Sequence, residues 1–205
     1  MKKELNKLLD AKIIFFVRHC HWVANLVRVQ KKNGKIRICI DFRNLNRASN
    51  KVNYPVPSME QVLQSVSGSQ MLSLLDGFSG YNQILVSHPD QLKTTFLMKW
   101  GTYAYQKMPF GLINVGANFQ KEVDISFHGL INKSMVIYLD DVTMYSKDKK
   151  DHIRHLREVF DRCHEFGISL NPKKSIFGVT KGKLLGFIIS KEGIMIDPKR
   201  TQAIK

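Results

Sequence analysis

Two spacings of apolar residues sort the chain into helical and extended stretches. Leu5, Leu8 and Leu9 recur among charges at helical intervals, so the chain opens on a short amphipathic helix. Behind Pro55 and Pro57, Ser58 and Gln61 form a capping box. Met59, Val62, Leu63 and Val66 make the apolar face of the helix it starts, and Gly68 ends it. A loop after Pro109 leads into a helix carrying Phe119, Val123 and Phe127. The clearest helix covers residues 148–166, with Ile153, Leu156, Val159, Phe160, Cys163 and Phe166 on one face and Gly167 as its stop.

Extended runs fill the intervals. NLVRVQKKNGKIRICIDF alternates basic and apolar residues around Asn33-Gly34, a strong hairpin signal, and KTTFLMKWGTYAYQKM predicts a second hairpin. MLSLLD reads as a buried strand that runs into Asp76 and a glycine-rich bend. MVIYLDDVTMYS predicts a hairpin with Asp140 and Asp141 at its tip, since both flanks are short and rich in β-branched and aromatic residues. Beyond residue 167, short strands are punctuated at Asn171-Pro172, Lys181-Gly182 and Glu192-Gly193.

Strand, helix, strand pair, helix, strand is the order of a split β-α-β layout. The expected fold is α+β, an antiparallel sheet with helices on one face. An Asp-Asp pair alone is an ordinary solvated turn, but Asp76 changes its meaning. An apolar strand that delivers a carboxylate at its end is hard to explain by packing, because burying an unpaired charge is expensive. In this layout the end of the Asp76 strand and the aspartate hairpin are neighbours.

Charge narrows the chemistry. The chain has 205 residues, and 32 Lys+Arg against 17 Asp+Glu give a formal charge of +15, which points to a polyanionic partner. Lys31, Lys32, Lys35 and Arg37 crowd the tip and one face of the first hairpin, as a phosphate-binding ribbon would. Cys20, Cys39 and Cys163 are odd in number and widely spaced, which argues for a reducing compartment. The run His19, Cys20, His21 lacks the spacing of a zinc site, and His152 with His155 reads as a solvated helix face. No segment approaches the ~18 apolar residues of a membrane span, so a soluble, intracellular, non-membrane protein is expected. Clustered carboxylates need a hard cation such as Mg²⁺ or Mn²⁺. Two such ions about 4 Å apart clamp an in-line phosphoryl displacement, so the expected reaction is nucleotidyl transfer.

The runs KIRICIDFRNLN, LLDGFSGYNQI, MPFGL, YLDD and LLGFIIS occur in the order found in retroviral-type reverse transcriptases. Over nearly all its length the chain most resembles those of gypsy-type (metavirus) LTR retrotransposons. The resemblance implies polymerase right-hand fingers at about residues 1–68 and 88–112, interleaved with palm at about 69–87 and 113–205. It implies Asp76, Asp140 and Asp141 as the catalytic, metal-binding triad for two Mg²⁺ ions, with Mn²⁺ able to substitute. Lys31 or Lys32 with Arg37 would hold the incoming triphosphate. Tyr81 would be the aromatic gate against a ribose 2′-hydroxyl, and Phe110 and Gly111 the rest of the dNTP pocket. Leu185, Gly186 and Phe187 match the primer grip, while Gln83 and Lys174 match positions near template and active site. Asp41, also matched, reads as structural, paired with Arg43 or a basic neighbour.

The partners implied are dNTPs and a primer on an RNA or DNA template. The full polyprotein would add thumb, ribonuclease H and integrase segments, which the chain is expected to lack. The setting implied is cytoplasmic, in a virus-like particle with access to the nucleus. Two stretches depart from the gypsy pattern. Gly116 and Asn118 stand where Asn-Ala-Pro-Ala-Thr-Phe-Gln has proline and threonine, and His21 to Leu26 replaces Ser-Pro-Trp-Ala-Ser-Pro. Such drift leaves a second reading, a catalytically silent nucleic-acid-binding remnant. A third, a palm-fold nucleotide cyclase, conflicts with the Tyr81 gate and the basic hairpin.

Overall fold

The computed structural model describes residues 1–30, 36–77, 80–138 and 141–198. In chain order its regular elements are α1 (Lys2–Asp10), β1 (Ile14–Val17), β2 (Asn25–Gln30), β3 (Ile36–Asp41), α2 (Arg43–Ala48), α3 (Met59–Val66), β4 (Met71–Asp76), α4 (His88–Gln91), β5 (Phe96–Met98) and β6 (Gly101–Tyr105). There follow α5 (Val115–Ser126), β7 (Met135–Tyr138), β8 (Asp141–Ser146), α6 (His152–Glu165), β9 (Ile176–Val179), β10 (Lys181–Leu184), β11 (Phe187–Ser190) and β12 (Gly193–Ile196). They form two compact units, Met1–Asn53 with Tyr81–Gly116, and Tyr54–Gly80 with Ala117–Lys205.

In the first unit β1, β6 and β5 make an antiparallel sheet, and β2 pairs with β3 from Asn25↔Asp41 to Gln30↔Ile36. The strands of the first expected hairpin are therefore in place, while its Asn33-Gly34 tip lies outside the described residues. Leu5 of α1, Ile14, Phe42, Phe96, Tyr103 and Tyr105 form the core, with Phe96 fully buried and its ring centroid 5.4 Å from that of Tyr105. Ala24 fixes the drifted 21–26 segment without the missing prolines: its N–H donates to the Thr95 carbonyl at 2.7 Å, and its side chain is buried.

The second unit is built on an antiparallel sheet of order β7-β8-β4-β9. β4 lies in its middle, which is why its sequence is nearly continuously apolar. Leu72 joins Val136, Tyr145, Leu184 and Ile189 in a cluster with Val62, Leu63 and Val66 of α3. The sequence-based division assigns residues 54–68 to the fingers segment, but α3 packs here, in the second unit. Ser73, the next residue, points to the opposite face and meets α6. One helix more than a one-faced arrangement anticipates thus covers the α+β sheet.

The capping box forms as expected: the Ser58 Oγ accepts from the Gln61 N–H at 3.2 Å, and the Gln61 side chain accepts from the Ser58 N–H at 3.1 Å. Two local expectations fail. Lys181-Gly182 is not a turn but lies inside β10, where a Cβ on Gly182 would stand 3.2 and 3.3 Å from the methyls of Leu74 and Leu72. The glycine serves close strand approach. The buried line of α6 runs through His152, Val159 and Cys163, leaving Ile153 67% exposed and Phe160 and Phe166 exposed as well. Val159 and Cys163 keep their expected place on the buried face, while His152 takes the place of Ile153 at the start of the helix.

Candidate active site

The decisive geometry is a register. β4 pairs antiparallel with β8 so that Asp76, its last residue, faces Asp141, the first of β8. β7 and β8 form the expected hairpin, but they pair down to Tyr138↔Asp141, so Asp141 opens β8 and is not at the tip; Leu139 and Asp140 lie outside the described residues. Directly opposed residues of adjacent strands hold their Cβ atoms about 5 Å apart, so the two carboxyl groups share one edge of the sheet. Burial pushes the Asp141 carboxyl upward, and the Asp76 charge adds to the shift.

A turn positions a cation against this pair. The Asp76 N–H donates to the Ser175 Oγ at 3.1 Å, and the Asp76 carbonyl accepts from the Asn171 N–H at 2.8 Å. The Ser175 Oγ donates in turn to the Asn171 carbonyl at 2.8 Å. The Asn171-Pro172 turn is thereby stapled to the main chain of Asp76, and Lys174 extends from it with Nζ 3.2 Å from each Asp76 carboxylate oxygen. Sequence reasoning placed Lys174 only near template and active site. Its carboxylate partner lies far away along the chain, and only the fold reveals it. Two opposed carboxylates, one of them held toward its protonated form, fit a hard divalent cation, which would relieve their repulsion better than one ammonium does.

The expected nucleotide-pocket residues lie in the first unit. Tyr81 and Phe110 meet edge to face with ring centroids 5.1 Å apart. Gly111 has φ +99°, a region that favours glycine. Gln83 ends the one-turn helix Gly80–Gln83. Of the expected triphosphate ligands, Lys31 and Lys32 lie outside the described residues. Arg37 stands on β3 opposite Val29, with its side chain outside the description. The expected primer-grip residues form a hairpin tip: Leu184 pairs with Phe187, and Leu185 and Gly186 between them have φ +51° and +84°. Positive φ at both central residues is the pattern of a type I′ turn, which Leu-Gly does not announce as Asn-Gly does. Asp41 accepts from the Arg43 guanidinium at 2.6 Å and from its N–H at 3.1 Å, and these bonds bring its carboxyl down to about 2.

Residues 29–189, which include this strand pair, match the family described as reverse transcriptase (RNA-dependent DNA polymerase). The chain belongs to that family. The reverse transcriptase chain is 34% identical over 173 residues to the retrovirus-related Pol polyprotein from transposon gypsy of Drosophila melanogaster, which covers 84% of the chain and 17% of that relative. It is 34% identical over 176 residues to the Pol polyprotein from transposon opus of the same fly, covering 85% of the chain and 18% of the relative. The chain thus spans about a sixth of the length of these curated relatives. Among solved structures, the foamy viral protease-reverse transcriptase in complex with double-stranded DNA matches with a TM-score of 0.90 at 20% identity, over 99% of this chain and 35% of that one. The same viral protein in complex with an RNA/DNA hybrid matches with a TM-score of 0.89 at 19% identity, over 99% and 27%. The fold is that of reverse transcriptases, α+β as expected. No described helix is long and apolar enough to cross a membrane.

Proposed function

We propose that this reverse transcriptase chain is the fingers and palm of an RNA-directed DNA polymerase, which adds dNTPs to a primer 3′-hydroxyl on an RNA or DNA template. The observation that carries the reading is the register of Asp76 opposite Asp141 at the end of the central strand. The first unit is assigned to the fingers and the second to the palm. Asp76, Asp140 and Asp141 would hold two Mg²⁺ ions, or Mn²⁺ in their place, which supply activation of the primer hydroxyl and neutralisation of the leaving pyrophosphate.

The chain's own residues do the rest. Asp76 and Asp141 present negative charge at one sheet edge, fixed by strand pairing and not by flexible loops. Lys174 balances that charge and stands beside the carboxylates, where the phosphates of an incoming nucleotide need a cation. Tyr81 and Phe110 form the aromatic wall that favours deoxyribose by steric exclusion. Lys31 or Lys32 and Arg37 receive the triphosphate. Leu185, Gly186 and Phe187 support the primer end, and Gln83 contacts the template side. In the full polyprotein, thumb, ribonuclease H and integrase segments accompany this part, inside a cytoplasmic particle.

Primer extension on an RNA template by the 205-residue chain in Mg²⁺ tests the reading. Extension should occur and vanish in Asp76→Asn and in Asp140→Asn, with duplex binding and circular dichroism retained. A folded chain that binds duplex without extending it would instead be the silent binding remnant.

A further inference from the structure

We propose that Asn46 and Asn114 are positioning residues for nucleotide selection: together they fix the loop that carries Phe110 and Gly111, and so decide how the incoming dNTP is held. The inference rests on the polymerase reading above. Asn46, in α2, spans the loop with both ends of its amide. Its Nδ2 donates to the Gly111 carbonyl at 2.8 Å, and its Oδ1 accepts from the Ile113 N–H at 2.8 Å. Asn114 makes the reciprocal clamp, its Oδ1 accepting from the Val52 N–H at 2.9 Å and its Nδ2 donating to the Asn50 carbonyl at 2.8 Å. Each amide spends donor and acceptor at once, which an ionised aspartate or an alanine cannot do.

The loop needs this bracing. Phe110 is 47% exposed, so packing alone does not hold its ring, and Gly111 stands at φ +99°, a conformation that regular structure does not enforce. Leu112 packs against the core of the first unit, while Ile113 is 45% exposed. Four hydrogen bonds to the 46–52 segment select one shape for the loop. That shape sets Phe110 edge-on to Tyr81 at 5.1 Å. A wall that rejects one hydroxyl works only if it stays in place, since a shift of about 1 Å in a positioned group can cost on the order of a hundredfold.

The test compares Asn46→Ala, Asn46→Asp and Asn114→Ala with Ser49→Ala, whose Oγ donates only to the Leu45 carbonyl of its own helix, at 2.8 Å. KM and kcat are measured for dNTP and rNTP incorporation on one primer–template, together with dNTP retention on a chain-terminated primer. The asparagine variants should raise the dNTP KM about tenfold and lower the preference for dNTP over rNTP about tenfold, with kcat within about threefold. Asn46→Asp should match Asn46→Ala, because its second oxygen would face the Gly111 carbonyl. Primer–template affinity, and every parameter of Ser49→Ala, should stay at the wild-type value. Unchanged KM and preference in a folded Asn46→Ala would overturn the proposal, as would a parallel fall in KM, kcat and duplex affinity. A wild-type chain that neither extends a primer nor retains dNTP would overturn the polymerase reading and this inference with it. One that retains dNTP without extending leaves the retention comparison to decide between the variants.

Discussion

His152 is the residue whose place in the fold departs furthest from its place in the sequence. It reads as part of a solvated helix face with His155, yet it is fully buried, with Nε2 2.8 Å from the Ser73 Oγ and Nδ1 2.9 Å from the Ser146 Oγ. The chain of bonds has a direction, because a guanidinium only donates. Arg154 gives a hydrogen to His155 Nε2 at 3.2 Å, His155 Nδ1 gives one to Ser146 at 2.8 Å, Ser146 to His152, and His152 to Ser73. Ser73 also accepts the Gly178 N–H at 3.0 Å, so β4, β8, β9 and α6 meet at one imidazole. Burial, with His155 nearby, lowers the His152 pKa from its ordinary 6.5. A depressed folded value means that the unfolded chain takes up this proton first, so the stability present at neutral pH is lost as pH falls through 6.5 toward the folded value. Urea midpoints taken from about pH 7.5 to about pH 5 should fall in the wild type. His152→Phe should cost about 2 kcal/mol at neutral pH and show a flatter profile; an equal slope would mean that His152 does not titrate in this range. At this scale, legibility followed chain distance. Asp76 announced itself because a carboxylate ending an apolar strand breaks a local pattern. Lys174, His152 and Asn46 each meet partners more than sixty positions away, to which no local pattern points.

At the scale of elements the sequence was most legible where a bond or a turn is local. The Ser58–Gln61 box, the opening helix and the pairing of β5 with β6 all appear where spacing placed them. Gly182 was misread because a glycine can mean either a bend or a close approach, and only the neighbouring strand decides which. With Leu72 and Leu74 as close as they are, Gly182→Val should crowd β10 off β4 and lower stability by about 1–3 kcal/mol, read from a urea midpoint. An unchanged midpoint would show that the leucines can move aside. The Leu185-Gly186 turn was missed for a related reason: leucine at φ +51° is unfavourable, so no composition rule points to a tight hairpin there. The strain is tolerated where Leu185 packs beside the core of Val62, Leu63 and Leu72.

For the molecule as a whole, net charge and topology answer different questions. The excess of +15 bears on binding and not on fold. Fluorescence anisotropy of a primer–template between about 50 and about 200 mM salt should show affinity falling linearly on a log–log plot, by on the order of a hundredfold or more. A flat profile would show that phosphate contacts do not dominate. Composition alone does not divide the chain, because no linker separates the two units; the expectation of two interleaved parts comes from the family resemblance, and each unit is assembled from two stretches of chain. That interleaving has a consequence during synthesis. β1 pairs with β6, which follows it by roughly ninety residues, so at about 5–20 residues per second β1 waits some 5–20 s on the ribosome for its partner. Through that interval Ile14 and Val17 have no strand to cover them. The nascent chain therefore stays open to chaperones and proteases until β6 has been made, before either unit has all its parts.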